Sequence, residues 1–127
     1  MRDPTIRTAP GHANLNNNGH IFGGWILSQM DVAGGIAAAR RADGAVATVA
    51  VNAMKFLRPV LLGDLLSVYT EVAQIGRTSI TISVEVCVDR RGIDGEIKVT
   101  EGCFTFVALD AEGRPRPIDP PRQTISV

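Results

Sequence analysis

From Ser79 to Asp89 the chain alternates Ile80, Ile82, Val84, Val86 and Val88 with Thr81, Ser83, Glu85 and Cys87. That period of two predicts a strand with one buried face. Val46 to Phe56, Leu65 to Ile75 and Glu96 to Leu109 have a similar strand-like make-up, and turn-forming stretches at Pro59 to Asp64, Gly76-Arg77 and Arg91 to Gly95 separate them. A short run near Ile6 predicts a fifth strand. Ahead of the four-stranded meander the period is helical. Phe22 to Ala39 reads FGGWILSQMDVAGGIAAA with a single charge, Asp31, and is long enough for about five helical turns. Ser28, Gln29, Asp31 and four glycines interrupt it, and it sits at the low end of the roughly 17–25 apolar residues that a membrane span requires. A buried helix is therefore predicted. Asn16 to Asn18 with Gly19 offer turn and capping chemistry before it, Arg40 and Arg41 complement its C-terminal dipole, and Asp43-Gly44 turns the chain.

One long, nearly uncharged helix followed by an antiparallel meander predicts an α+β fold in which a five-stranded antiparallel sheet wraps a central helix. Such a sheet leaves an edge strand free, and a free edge commonly pairs with its copy in a twofold dimer. Residues 1–127 read as a single domain with no internal repeat. The stretch from 110 to 127 holds four of the seven prolines and three arginines, which predicts an extended tail that docks on a neighbour.

The charge balance narrows the partners. Thirteen Lys and Arg offset thirteen Asp and Glu, so no net field draws nucleic acid or an anionic membrane, and any bound anion has to meet a local patch. The hairpin register predicted for the last two strands sets Cys87 near Lys98 and Cys103 near Ile82, too far apart for a disulfide. Two reduced thiols and a cytoplasmic location follow as expectations. Met1 to Pro10 contains no apolar h-region of the secretory kind.

Asp31 is the most informative residue, because a carboxylate in an apolar helix is costly unless it has a partner or a task. Positions 27, 28, 34 and 35 are Leu, Ser, Gly and Gly, so no helical neighbour forms an ion pair with it; a distant Arg or Lys remains the bland reading. Gly23-Gly24 opens the helix, where bare N–H groups and the dipole suit an oxyanion, although close packing against a strand explains glycines there equally well. Gly24, Ser28 and Asp31 share one helical stripe, with Gly24 and Asp31 about two turns apart. That separation predicts that a second protomer supplies one side of the site. His20, a lone histidine in a turn, reads first as a hydrogen-bonded bystander. At least two of Asn16, Asn17 and Asn18 read as turn formers. The sequence has no Gly-x-Ser-x-Gly elbow and no zinc-ligand spacing.

Taken together, Asn16-x-Asn18-Gly19-x-Ile21-Phe22-Gly23-Gly24-Trp25, then Ser28-x-Met30-Asp31, then Phe56-Leu57-Arg58-Pro59-Val60-x-x-Gly63-Asp64, resemble the YciA-like branch of hotdog acyl-CoA thioesterases, with Gly76-x-Thr78-Ser79 as a fourth motif. The resemblance covers about residue 12 to Pro117. It implies the hotdog fold, hydrolysis of short- to medium-chain acyl-CoA without metal or bound cofactor, and dimers that assemble to hexamers. It also implies that Asp31 is catalytic, as general base or as nucleophile, and that the catalytic asparagine of the opposite protomer is Asn16, with Asn18 as the competing choice. A backbone N–H at Gly23-Gly24 would hold the oxyanion, and Arg58, Arg77, Thr78 and Ser79 would meet the coenzyme A phosphates, with Arg114 or Arg116 of the tail as further candidates. Chain length would depend on residues such as Trp25, Met30 and Met54. His20 stands where the family usually has aspartate, which leaves substrate preference and pH response open. Two rival readings exist. One is a hotdog dehydratase acting on 3-hydroxyacyl thioesters through His20 and Asp31, although the proline-rich turn of those enzymes is missing. The other is a non-catalytic acyl-CoA binding protein.

Overall fold

The strand predicted from the clearest alternation lies inside the sheet. The computed structural model describes residues 2–118, which form β1 (Ile6–Thr8), α1 (Gly23–Ala42), β2 (Val46–Phe56), β3 (Leu65–Ile75), β4 (Ser79–Asp89) and β5 (Ile97–Ala108). The strands make one antiparallel sheet in the order β1-β3-β4-β5-β2. Ile80, Ile82, Val84, Val86 and Val88 are all buried on the face that receives α1. This is the helix-in-sheet architecture that the resemblance implies.

The helix is one turn longer than its apolar run, because Arg40, Arg41 and Ala42 continue it until Asp43 enters the left-handed region at φ 55° and donates its N–H to Ala39 O. Its buried stripe includes Ile26, Met30, Ala33, Gly34, Ala38 and Ala42. Gly34 is required there: a Cβ would stand 3.0 Å from Phe106 Cζ, so only a bare Cα lets helix and sheet approach this closely. Gly24, Ser28, Val32, Ile36 and Arg40 form the exposed stripe. The asparagines do not cap the helix; its N-cap is Phe22, without a side-chain cap.

Strand β2 is an edge, and its pairing with β5 slips twice, once at Val49 and once at Ala53-Met54. Each bulge adds a residue and reverses the alternation. Thr48, Val51 and Phe56 consequently oppose Phe106, Phe104 and Thr100, so all three face α1. Yet Val51 is 40% exposed and Phe56 55% exposed.

The described part of the tail folds back on its own chain. Leu109 bridges to Pro115, Ile118 N donates to Arg77 O, and Arg116 Nη2 donates to Ala42 O at 2.6 Å. Residues 110–118 thus begin with a tight turn on their own chain before running on in extended form; residues 119–127, which hold the rest of the tail, lie outside the described residues. The two cysteines are free, with Cys87 opposite Lys98 as expected and Cys103 opposite Ser83, one place from Ile82 because the ladder slips between Val86 and Cys87. Among the described residues no helix is long and apolar enough to cross a membrane.

Candidate active site

Two clefts of ≈ 330 Å³ each lie beside α1, one between its exposed side and β2 and the other where the start of α1 meets Phe56 and the loop that follows β2. The first is lined by Asp31 and Thr48, with Gly24, Ser28, Leu27 and Val51 around them. Thr48 Oγ1 donates to Asp31 Oδ1 at 2.6 Å, which satisfies one carboxylate oxygen and leaves Oδ2 without a hydrogen-bond donor among the described residues, in a cleft that Leu27, Val51 and Phe104 make largely apolar. Among the described residues no Lys or Arg forms an ion pair with Asp31, so the distant cation of the bland reading is not there. The expected stripe of Gly24, Ser28 and Asp31 is one wall of this cleft.

The second cleft lies toward the start of α1 and is lined by Asn16, His20, Gly23, Ile26, Phe56 and Arg58 among others. Asn16 is locked in place. Its Oδ1 accepts the N–H groups of Asn18 at 2.8 Å and His20 at 3.1 Å, while its own N–H donates to His20 O at 2.7 Å. Gly19, at φ 78°, closes this turn in a conformation that suits glycine. Because the carboxamide oxygen is committed to the turn, the Nδ2 group is left as a donor. Asn18 is exposed and contributes its backbone N–H to the turn, without lining the cleft.

The two glycines part company. A Cβ at Gly23 would lie 3.3 Å from Phe56 Cε1, whereas one at Gly24 would meet only the Phe22 ring at 3.5 Å, an ordinary contact. Close packing therefore explains Gly23 and not Gly24. Both N–H groups belong to the first helical turn and have no acceptor within it.

The loop behind the second cleft is braced by an ion pair between the buried Asp64 and the half-buried Arg90. Arg90 Nε and Nη2 donate to Asp64 Oδ1 and Oδ2 at 3.0 and 2.8 Å, and Asp64 Oδ2 also accepts Leu61 N–H at 2.8 Å. This holds Pro59 and Val60 against the cleft, while Arg58 Nη1 donates to Lys98 O at 2.6 Å.

Within one protomer the residues of the phosphate patch do not meet. Arg58 N donates to Val99 O near the start of β5, whereas Ser79 pairs with Val107 near its end, which separates Arg58 from Arg77, Thr78 and Ser79 by roughly 25–30 Å along the strand. Arg116 is committed to the helix C-terminus, and Arg114 is exposed in the turn after β5. Met30 is wholly buried in the core, so it does not shape a cleft directly. Nothing in the sequence distinguishes Thr48; its register opposite Phe106 and its hydrogen bond to Asp31 identify it. Desolvation and the neighbouring Glu85 push the buried Cys87 thiol up to about 12, which keeps it protonated and a poor nucleophile. Among the described residues no three His, Cys, Asp or Glu side chains gather as a metal-ligand set.

Residues 18–93 match the family model of the thioesterase superfamily. The acyl-CoA thioester hydrolase YciA of Escherichia coli is 46% identical over 117 residues, which are 90% of this chain and 89% of that protein. The hexameric hotdog fold thioesterase of Campylobacter jejuni superposes with a TM-score of 0.87 at 37% identity, covering 93% of this chain and 91% of that one. The acyl-CoA hydrolase of Staphylococcus aureus, solved in complex with butyryl coenzyme A, coenzyme A and coenzyme A disulfide, superposes with a TM-score of 0.84 at 26% identity, covering 89% of this chain and 69% of that one.

Proposed function

The chain belongs to the thioesterase superfamily and is a hotdog-fold acyl-CoA thioester hydrolase, and from that premise we propose that Asp31 of one protomer and Asn16 of its partner build each active site. The observation that carries this reading is the separation of the two halves. Asp31 with Thr48 lines one cleft and Asn16 with Gly23 the other, and both clefts open along the same apolar edge, where Val49, Val51 and Phe56 are exposed.

Pairing of β2 with its copy covers that edge. A twofold axis that keeps both helices on one face of a continuous sheet runs normal to the sheet, so the two β2 strands are antiparallel. The Thr48 end of one strand then meets the Phe56 end of the other. Asp31 is thereby set against the partner's side of the interface that carries Asn16, Gly23 and Gly24. The same pairing brings Arg58 of one protomer to the end of the sheet that carries Arg77, Thr78 and Ser79 of the other, a composite patch for the coenzyme A phosphates. Dimers of this kind assemble further to hexamers.

The thioester carbonyl lies in this interface. Asn16 Nδ2 orients the carbonyl or the attacking water, and the first-turn N–H groups at Gly23-Gly24 receive the oxyanion where the dipole favours it. Through its free Oδ2, Asp31 either takes a proton from water or attacks the carbonyl to form an anhydride that water then cleaves. In both routes the C–S bond breaks, the thiolate leaves and is protonated, and the products are a free acid and coenzyme A. The apolar clefts suit short- to medium-chain acyl groups. The two free thiols support a cytoplasmic location.

Release of free coenzyme A thiol from acyl-CoA substrates, followed without added metal, tests the reading. Asp31→Asn is expected to lose about a hundredfold in kcat, as is usual for a missing acid–base group. An unchanged rate with unchanged assembly overturns it.

A further inference from the structure

We infer that the ion pair of Arg90 and Asp64 is a positioning device for Asn16, fixing where its carboxamide stands in the shared active site. The inference rests on the composite site proposed above and deepens it.

The turn that carries Asn16 is rigid within itself. Asn16 Oδ1 accepts two N–H groups of its own turn, Asn16 N donates to His20 O, and Phe22 N donates to Asn14 O. Nδ2 therefore moves as the whole turn moves. Leu15 and Ile21 pack on the core, but apolar packing is not directional. The directional contact is at the base of the turn, where Ile21 N donates to Val60 O at 2.9 Å. Among the described residues no other hydrogen bond joins residues 14–21 to the five strands or to the loops between β2 and β5. The place of Val60 O thus orients the turn and, with it, Asn16.

Val60 is held from both sides. Arg90 Nη2 donates to Pro59 O at 3.1 Å, and Asp64 Oδ2 accepts the N–H of Leu61 at 2.8 Å. The two clamps are one unit, because Arg90 Nε and Nη2 bind both oxygens of Asp64. Leu65 pairs with Asp89 at the end of the β3–β4 ladder, so Asp64 and Arg90 occupy the next place in that register and take their position from the sheet. A forked guanidinium satisfies the carboxylate and Pro59 O together, whereas an ammonium offers a single point. A buried ion pair adds little net stability over apolar residues of equal volume, which points to placement as what this one supplies. Arg58 is pinned separately, by its N–H to Val99 O and by Nη1 to Lys98 O. Loss of the clamp therefore shifts Asn16 and leaves Arg58 where it is.

Kinetics and subunit mixing test the inference. A displacement near 1 Å costs about a hundredfold in rate, so Arg90→Ala is expected to lose about that in kcat, with KM for acyl-CoA within about twofold of wild type. Arg90→Lys is expected to fall between. Arg90→Ala chains coexpressed in equal amounts with Asp31→Ala chains are expected to return about a quarter of wild-type activity, because one site in each mixed dimer joins an intact Asp31 to an intact Asn16 turn. Coexpressed with Asn16→Ala chains they are expected to return nothing, since both defects lie in the same half of the site. A merely structural role damages both halves of the chain and gives no recovery with Asp31→Ala. That result, recovery with Asn16→Ala, or a wild-type kcat in Arg90→Ala overturns the inference. If Arg90→Ala chains do not assemble, Arg90→Lys chains serve in the same mixtures with the same expected pattern of recovery. The control mixture of Asn16→Ala with Asp31→Ala separates the two readings: no recovery there, with mixed dimers demonstrated, overturns the composite site itself, and this inference falls with it.

Discussion

Thr48 Oγ1 donates a 2.6 Å hydrogen bond to Asp31 Oδ1, tying the edge strand to the one charged residue of α1 before Arg40. The bond fixes the rotamer of the carboxylate and leaves its other oxygen available, so Thr48 acts as a positioning residue for the proposed chemistry.

Loss of this bond should therefore lower turnover more than substrate binding. Thr48→Val is expected to reduce kcat about tenfold, from loss of a hydrogen bond to a charged group, with KM nearly unchanged. Thr48→Ser, which keeps the hydroxyl, is expected to restore most of the rate. Equal losses in both variants contradict the positioning role, and steady-state kinetics on one acyl-CoA decide it.

Arginines on this chain divide into two kinds, and single substitutions separate them. Arg58→Ala and Arg77→Ala are expected to raise KM for acyl-CoA at low ionic strength, with the effect shrinking as salt screens the phosphates. Arg116→Ala removes donors from Ala42 O at the end of α1 and from Leu109 O just after β5. It is expected to cost about 1 kcal/mol of stability and leave KM unchanged. If neither Arg58→Ala nor Arg77→Ala alters KM at either salt concentration, the phosphates bind elsewhere.

Tyr69 is the only tyrosine in the chain, so its titration is visible without interference. Its hydroxyl donates to both Glu96 oxygens at 2.7 Å; that bond first, then burial, raises its pKa above the ordinary value. The contribution of this pair to stability is complete below the ordinary tyrosine range near 10 and is lost as pH rises through the higher folded value. Ultraviolet titration of tyrosinate should give a midpoint above that of a free tyrosine, and Glu96→Gln should lower it. A midpoint at or below the ordinary value contradicts the hydrogen-bonded geometry.

Periodicity made the scaffold legible. The bounds of β2, β3 and β4 coincide with those read from alternation and turns, since each strand has a turn-forming stretch at both ends. The helix runs three residues beyond Ala39, because Arg40 and Arg41 resemble a stop signal while the left-handed Asp43 sets the true end. What no pattern of hydrophobic residues reveals is the pair of bulges in β2. Each one silently reverses the face of every later residue, so the common orientation of Thr48, Val51 and Phe56 emerges only from the ladder. Asn16 shows a different limit: its residue type is compatible with either a turn or a site, and in the fold its oxygen holds the turn while its nitrogen remains available.

The shared site is tested most directly by mixing defective subunits. Asn16→Ala and Asp31→Ala chains, each inactive alone, are coexpressed in equal amounts, and acyl-CoA hydrolysis is measured on the mixture. With random pairing half the dimers are mixed, and one of the two sites in each mixed dimer is intact, so about a quarter of wild-type activity should return. If both residues served a site within one chain, every site would still lack one of them. Absence of any recovery, with mixed dimers demonstrated, contradicts the composite site.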